Sequence, residues 1–128
     1  MRILILFIFS SFLVQSQVDH WESVVLPGDS WHYILPNSNP SPSWIQLNYD
    51  TSNWDIGDSG FGYGDNDDET IIPTTISVFI RKAFEIYDMD AIESVLLDID
   101  YDDGFVAYIN GQEIARSMLT GSMPDYNQ

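Results

Sequence analysis

The 128-residue chain contains no cysteine and only four basic residues against twenty acidic ones, which gives a formal net charge of −16. The absence of cysteine excludes a disulfide scaffold, thiolate zinc ligation and thiol catalysis. The scarcity of positive charge excludes nucleic acid and anionic membrane surfaces as primary partners, because binding to phosphate groups depends on Lys and Arg. This leaves divalent cations and neutral polymers as ligand classes.

Long apolar runs are also missing, apart from one at the N-terminus. The run from Ile3 to Val14 follows the basic residue Arg2. A membrane-spanning helix needs about 20 apolar residues, so this run is too short to span a bilayer. A basic start, an apolar centre and small or neutral residues up to Ser16 are typical of a secretory signal peptide over residues 1–16. We therefore expect a secreted or cell-surface protein in which residues 17–128 form one domain.

Helical periodicity is nearly absent, and only Asp88 to Glu93 has the spacing of a helical turn. Short β patterns dominate instead. An aromatic strand is predicted at Ser30 to Leu35, and a strand with apolar alternation at Ile76 to Ile86. Val95 to Tyr101 alternates apolar and acidic residues, as expected of a strand with one wet face. The Gly- and Asp-rich stretch from Ser52 to Glu69 predicts a long ordered loop.

The most specific local signal is the dipeptide Asn110-Gly111. It lies between two strand patterns, Phe105 to Ile109 and Gln112 to Arg116, and a type I′ hairpin turn needs positive φ at both of its central residues. Short strands separated by such turns predict an all-β sandwich or jelly roll. The polar stretch that ends at Gln128 contains no closing strand pattern, so we expect the domain to be incomplete at its C-terminal end.

Three stretches together resemble a known module. They are Trp54-Asp55-Ile56-Gly57 continuing through Gly60 to Asp65, then Phe79 to Phe84, then Asp102 to Arg116. They resemble the galactose-binding-like β-sandwich module of secreted, Bacteroidetes-type multidomain proteins, where it occurs beside CotH-type kinase-like and lamin-tail domains. The resemblance covers Ser30 to Gln128 and implies a jelly-roll fold, a secreted setting and a neighbouring domain of a longer parent protein as a partner. It does not define the ligand.

Carboxylates cluster after the glycine-rich turn, at Asp65, Asp67, Asp68 and Glu69. Oxygen ligands on a flexible loop are what Ca²⁺ takes, so these four residues are candidate calcium ligands, with a solvated acidic turn as the alternative. A second acidic group is Asp98, Asp100, Asp102 and Asp103. For that group we expect turn formation, since Asp caps backbone amides and tolerates left-handed backbone geometry. Calcium-assisted folding is the alternative there.

Aromatic residues are the candidate ligand-binding groups, because flat rings stack on the apolar faces of sugars. The candidates are Trp44, Trp54 and Tyr63, from a set that also includes Trp21 and Trp31. Trp44 and Trp54 are in polar, loop-like sequence and are better candidates than Trp31. Core packing is the alternative for each, since Trp is highly buried on average.

Catalytic motifs are missing. His20 and His32 are not in an acid–base or metal-ligand spacing, and no Gly-x-Ser-x-Gly sequence is present. The glycines from Gly57 to Gly64 are not followed by a lysine or a helix, so they predict tight turns with positive φ and no phosphate-binding loop. The chain is interpreted as non-catalytic.

Three hypotheses follow. The first is a secreted, non-catalytic β-sandwich accessory module that binds glycan or packs beside a larger partner domain. The second is a calcium-stabilised structural or adhesion module. The third is the N-terminal fragment of an extracellular enzyme.

The signal-peptide interpretation predicts that the exported chain starts at Gln17 or Val18. N-terminal sequencing of exported protein measures this directly. Exported protein that retains Met1 would contradict the prediction.

Overall fold

The computed structural model describes residues 20–128, so the predicted signal peptide lies outside the described residues. The described part is all-β, with one 3-10 helix over Pro42–Ile45. Its strands are β1 Ser30–Ile34, β2 Asp55–Asp58, β3 Phe61–Gly62, β4 Thr70–Ile71, β5 Phe79–Arg81, β6 Phe105–Ile109 and β7 Gln112–Ser117. Within residues 20–128, no helix has the length and apolar character needed to cross a bilayer.

The strands form three open sheets. In the largest, β1 lies between β2 and β5 and is antiparallel to both, so that His32 lies opposite Ile56 on one side and Arg81 on the other. Strands β3 and β4 form a short parallel pair, and β6 and β7 form an antiparallel hairpin. The aromatic and β-branched residues of β1 favour extended backbone, which agrees with the strand predicted from the sequence.

The hairpin has the predicted turn. Asn110 has φ 50° and Gly111 has φ 85°, so both central residues are in the left-handed region that a type I′ turn requires. Tyr108 pairs with Glu113, whereas Ala107 pairs with Ala115. Ile114 is therefore an extra residue in β7, and it forms a β-bulge that increases the local twist.

Other predicted elements differ from the structure. The loop predicted for Ser52 to Glu69 contains β2 and β3, because pairing with β1 and β4 makes this Gly-rich sequence extended despite its low β-propensity. The strand predicted for Ile76 to Ile86 is confined to β5. Val95 to Tyr101 belongs to no strand, although its alternation is the clearest in the chain. A strand needs a hydrogen-bonded partner, and among the described residues this segment has none in a ladder. Asp88 to Glu93 contains an isolated turn closed by Ile92 N–H and the Met89 carbonyl at 3.4 Å.

The core of the described chain is small and aromatic. Trp54, Ile72 and Phe79 are its buried hydrophobic side chains. The Tyr33 and Phe61 rings are 5.1 Å apart and connect the three-stranded sheet to the β3–β4 pair. Because so few side chains are fully buried, the contacts between aromatic rings carry much of the packing between sheets.

We expect Gly111→Val to lower the free energy of unfolding by about 1–3 kcal/mol, because a β-branched residue is strained at positive φ. A Cβ at this position would also lie 2.6 Å from the amide of Gln46, which is the flexible end of a side chain. Thermal or urea unfolding of both proteins measures the difference. The matched control is Gly111→Asn, which tolerates the same φ. Equal stability of the wild type and the Val variant would contradict the turn assignment.

Candidate functional site

Arg81 holds in place the loop that contains Trp44, one of the predicted ligand-binding aromatic residues. Arg81, at the end of β5, donates hydrogen bonds from its guanidinium to the backbone carbonyls of Trp44 and Leu47. Its guanidinium carbon also lies 5.6 Å from the centroid of the Tyr49 ring, within cation–π range. Partial burial lowers the pKa of Arg81 from its ordinary value, but the group stays charged at neutral pH. The 3-10 helix is thereby fixed against the three-stranded sheet.

The Trp44 ring contacts three other aromatic rings. Its ring lies 6.3 Å from Trp54 in a stacked arrangement and 5.1 Å from Phe79 edge to face. It also meets Tyr108 of β6 edge to face at 5.8 Å. The Trp44 indole nitrogen and the Tyr108 hydroxyl are buried and make no hydrogen bond within the described chain. Burial raises the pKa of Tyr108 above its ordinary value of 10.0.

Beside Trp44 lies a mostly apolar cleft of about 320 Å³. Its lining combines aromatic, proline and methionine side chains with two small polar ones: Asn39, Pro40, Ser41, Pro42, Trp44, Phe79, Met123 and Pro124. A volume near 300 Å³ is at the lower end of the range for small-molecule sites. The cleft thus has the size of a small ring-shaped ligand.

Both walls of the cleft are tied to one another. The side-chain amide of Asn39 donates to the Asp125 carboxylate at 2.6 Å, and its oxygen accepts from the Tyr126 N–H at 2.7 Å. The Ser77 hydroxyl donates to the Tyr126 carbonyl at 2.5 Å. These hydrogen bonds hold the C-terminal segment in place, and that segment positions Met123 and Pro124 over the sheet. The cleft is therefore pre-formed, which lowers the ordering cost of binding.

The three aromatic candidates are not equivalent in the structure. Trp44 lines the cleft, whereas Trp54 is only 7% exposed and packs beneath it against Trp44 and Tyr49. A ring so buried has no face to offer a ligand, and its burial favours the core-packing alternative for Trp54. Tyr63 is 48% exposed on the loop after β3 and does not line the cleft.

The cleft also contains residues that sequence reasoning missed. Phe79 was predicted only as part of a strand, and Met123 and Pro124 only as part of a polar terminal stretch. Nothing local in the sequence indicates that residues 39–44 and 123–124 face one another, because the hydrogen bonds beside them, between Asn39 and residues 125–126, span more than eighty residues. The prolines on both sides are the one compositional signal.

A second candidate site is the carboxylate group after β3. Asp65, Asp67 and Asp68 each place a carboxylate oxygen within 4.8 Å of the others, close enough to hold one metal ion. Ca²⁺ binds oxygen at about 2.3–2.6 Å, so two ligands on opposite sides of the ion are about 5 Å apart and this spacing is compatible with that ion. Glu69, the fourth predicted ligand, is not part of this group. Exposed acidic groups of this kind are also common without a metal ion, as in the solvated acidic turn that is the alternative.

Local backbone geometry brings the three aspartates together. Asn66 has φ 68° and Gly64 has φ 105°, so the chain turns sharply on both sides of Asp65. A Cβ on Gly62 would collide with the carboxylate of Asp68, so the Asp68 side chain would have to move away. The same holds for Gly57, where a Cβ would lie 2.7 Å from the Thr70 hydroxyl. Of the four glycines predicted to have positive φ, only Gly64 has it, and the prediction is wrong for Gly57, Gly60 and Gly62.

The electrostatics of this acidic group disfavour its fully charged state. A hydrogen bond with Asp65, followed by the repulsion of its charge, raises the pKa of Asp67 above the ordinary 3.8. A raised pKa means that the folded state holds this proton more tightly than the unfolded chain. Folding stability therefore falls as the pH rises from about 3.8 through the raised pKa. A bound cation would relieve that repulsion.

In the second acidic group, one residue, Asp103, has the backbone geometry that was expected of a turn. Asp103 has φ 68°, and Gly104 N–H donates to the Asp102 carbonyl at 3.1 Å. Among residues 20–128, Asp98, Asp100, Asp102 and Asp103 are not brought together as a metal-binding group.

The two histidines differ in their exposure to solvent. His32 is in the centre of β1 and its Nδ1 is buried, while His20 lies 2.7 Å from Glu22 at the surface.

Comparisons of the chain with protein-family models, with curated proteins and with solved structures give no significant match.

We expect millimolar Ca²⁺ to raise the melting temperature more than NaCl at the same ionic strength. A site that binds only the folded state adds RT ln(1 + [L]/Kd), about 2.7 kcal/mol at a hundredfold excess over Kd. Screening by salt acts through ionic strength, so the matched NaCl sample is the control.

The double variant Asp67→Asn with Asp68→Asn should abolish the difference between Ca²⁺ and NaCl. Equal shifts by the two salts in the wild type would show a solvated acidic turn. Loss of the difference in Asp102→Asn would place the ion in the other acidic group.

Proposed function

We propose that the chain is a secreted, non-catalytic accessory module with a galactose-binding-like jelly-roll fold, and that it binds carbohydrate in the cleft beside Trp44. The observation that carries this proposal is the cleft itself: a pre-formed, aromatic-lined hollow on an all-β scaffold. The sequence resemblance supports the fold and the secreted setting, and the open sheets are compatible with it. The strongly acidic composition supports a neutral ligand over an anionic one.

The chemistry of the lining suits a sugar ring. The apolar C–H face of a pyranose would pack on the aromatic and proline surface, while its hydroxyl groups need polar partners at the edge. Ser41 supplies a hydroxyl at the cleft, next to that of Ser43 at 2.9 Å. The side chain of Asn39 is already committed to the C-terminal wall. Recognition would therefore rest on stacking first and on few hydrogen bonds.

A second candidate function is a calcium-stabilised structural or adhesion module. The spacing of Asp65, Asp67 and Asp68 favours it, since three carboxylates are within reach of one ion. The two functions are compatible in one molecule, because the acidic group and the cleft share no residue. A glycan array read with and without EDTA separates them: sugar binding that survives EDTA belongs to the cleft.

We expect Met123→Trp to weaken glycan binding at least tenfold, because a larger side chain fills the cleft without removing Trp44 from the core, and tenfold corresponds to about 1.4 kcal/mol. The glycan is the strongest binder from the array, and titration calorimetry gives its Kd. Trp21→Ala is the matched control, since Trp21 is 72% exposed and does not line the cleft.

Two results would contradict the proposal: no glycan bound on the array, or equal affinity of Met123→Trp and wild type. Melting curves of each variant confirm that the fold is intact. Equal loss of binding in Trp21→Ala would move the site away from the cleft.

A further inference from the structure

The cleft beside Trp44 is polar at its rim and apolar at its inner end. Its polar lining residues, Asn39 and Ser41, are exposed. The lining residues that are buried or half-buried are all apolar: Pro40, Trp44, Phe79, Met123 and Pro124. A ligand group that reaches the inner end therefore exchanges water for apolar side chains.

Hydrogen-bonding groups are scarce on the inner surface. Proline has no backbone N–H, so Pro40, Pro42 and Pro124 contribute carbonyls but no amide donor. The indole nitrogen of Trp44 is itself buried, so it is not exposed in the cleft. The thioether of Met123 is only a weak acceptor. The inner surface thus offers few partners to a polar group of a ligand.

The polar side chains at the rim are engaged within the protein. The Asn39 amide donates to the Asp125 carboxylate and accepts from the Tyr126 N–H. The hydroxyl of Ser41 lies 2.9 Å from that of Ser43 and accepts from the backbone N–H of the same serine at 3.4 Å. The hydroxyl groups of a ligand are therefore more stable in water at the rim than inside the cleft.

This distribution discriminates between sugars that differ in one substituent. A hexose ring carries a hydroxymethyl group, whereas a 6-deoxyhexose carries a methyl group at the same ring carbon. A hydroxyl group that is buried without a partner loses its hydrogen bonds to water, while a methyl group gains from leaving water. An acetamido sugar also carries a methyl group, but its amide N–H and C=O need partners that the inner surface lacks.

We propose that the carbohydrate bound beside Trp44 is a 6-deoxy sugar, whose methyl group packs against Phe79 and Met123 while its ring hydroxyls stay at the rim. This inference rests on the proposed carbohydrate function and names the class of sugar. The selectivity has a limited size, because a hydrophobic pocket rejects an added hydroxyl by no more than about a hundredfold.

The glycan array separates this inference from the proposed function. The glycans that bind the full chain, and bind Met123→Trp more weakly, should end in 6-deoxy sugars. Glycans that fulfil both conditions but contain no 6-deoxy sugar would overturn the inference and leave the carbohydrate function standing. An array with no bound glycan would refute both.

Matched glycosides measure the contribution of the methyl group. Methyl α-L-rhamnoside is compared with methyl α-L-mannoside, and methyl β-D-quinovoside with methyl β-D-glucoside, since the members of each pair differ only in the hydroxyl on C6. In NMR titrations of the full chain, the 6-deoxy member of the pair that binds should have a Kd at least about tenfold lower. Equal or tighter binding of the hydroxylated member would overturn the inference.

Saturation-transfer NMR on the wild-type protein locates the methyl group of the bound glycoside. Its protons should receive more saturation than the ring protons, because they lie closest to the protein. Stronger transfer to the ring protons would contradict the proposed orientation. This measurement needs no variant and therefore does not depend on the folding of one.

A polar substitution in the cleft should reduce the preference. Met123→Gln has nearly the same length and offers an amide to the C6 hydroxyl, so the preference within a pair should fall below about threefold. Met89→Gln is the matched control, since Met89 is 68% exposed and does not line the cleft. Melting curves check that both variants are folded. A preference unchanged in Met123→Gln, or reduced equally in both variants, would overturn the inference.

Discussion

Arg81 donates to the backbone carbonyls of Trp44 and Leu47, and the position of the aromatic cluster depends on those bonds. They bring the 3-10 helix onto the three-stranded sheet, where the Trp44 ring reaches Trp54, Phe79 and Tyr108. Tyr108 belongs to the hairpin, so the Trp44 ring links that hairpin to the main sheet. Without cysteine and with few fully buried side chains, this ring contact is a principal link between the two sheets.

The few cations of the described chain each hold a loop in place. Lys82 lies 3.3 Å from Asp29 and donates to the Ser30 carbonyl. The backbone N–H of Leu26, followed by Lys82, lowers the pKa of Asp29. Arg116 binds Glu113 through two nitrogens and also donates to carbonyls of the segment after β7. The chain has twenty acidic residues against four basic ones, and this excess of negative charge is why acidic groups such as Asp65, Asp67 and Asp68 lie close together.

Much of the candidate site was out of reach of sequence reasoning. Trp44 could be singled out by its polar surroundings, and Asp65, Asp67 and Asp68 by their spacing. The sequence could not separate Trp44 from Trp54, since both are tryptophans in loop-like sequence and only packing shows that one lines a cleft while the other lies beneath it. Glu69 follows Asp68 directly in the sequence. The turn at Asn66, however, brings together the carboxylates of the three aspartates without that of Glu69.

Local chemistry alone determined the features that need no distant partner: the absence of disulfides, the polyanionic surface and the turn at Asn110-Gly111, where two positive φ angles follow from the residue types. Tertiary structure decided the rest, because a strand exists only through its partner. Asp55–Asp58 became a strand because β1 lies beside it, whereas the strongly alternating Val95 to Tyr101 did not, since no ladder within the described residues includes it. The cleft likewise formed from segments more than eighty residues apart, which only hydrogen bonds such as Asn39 to Asp125 bring together.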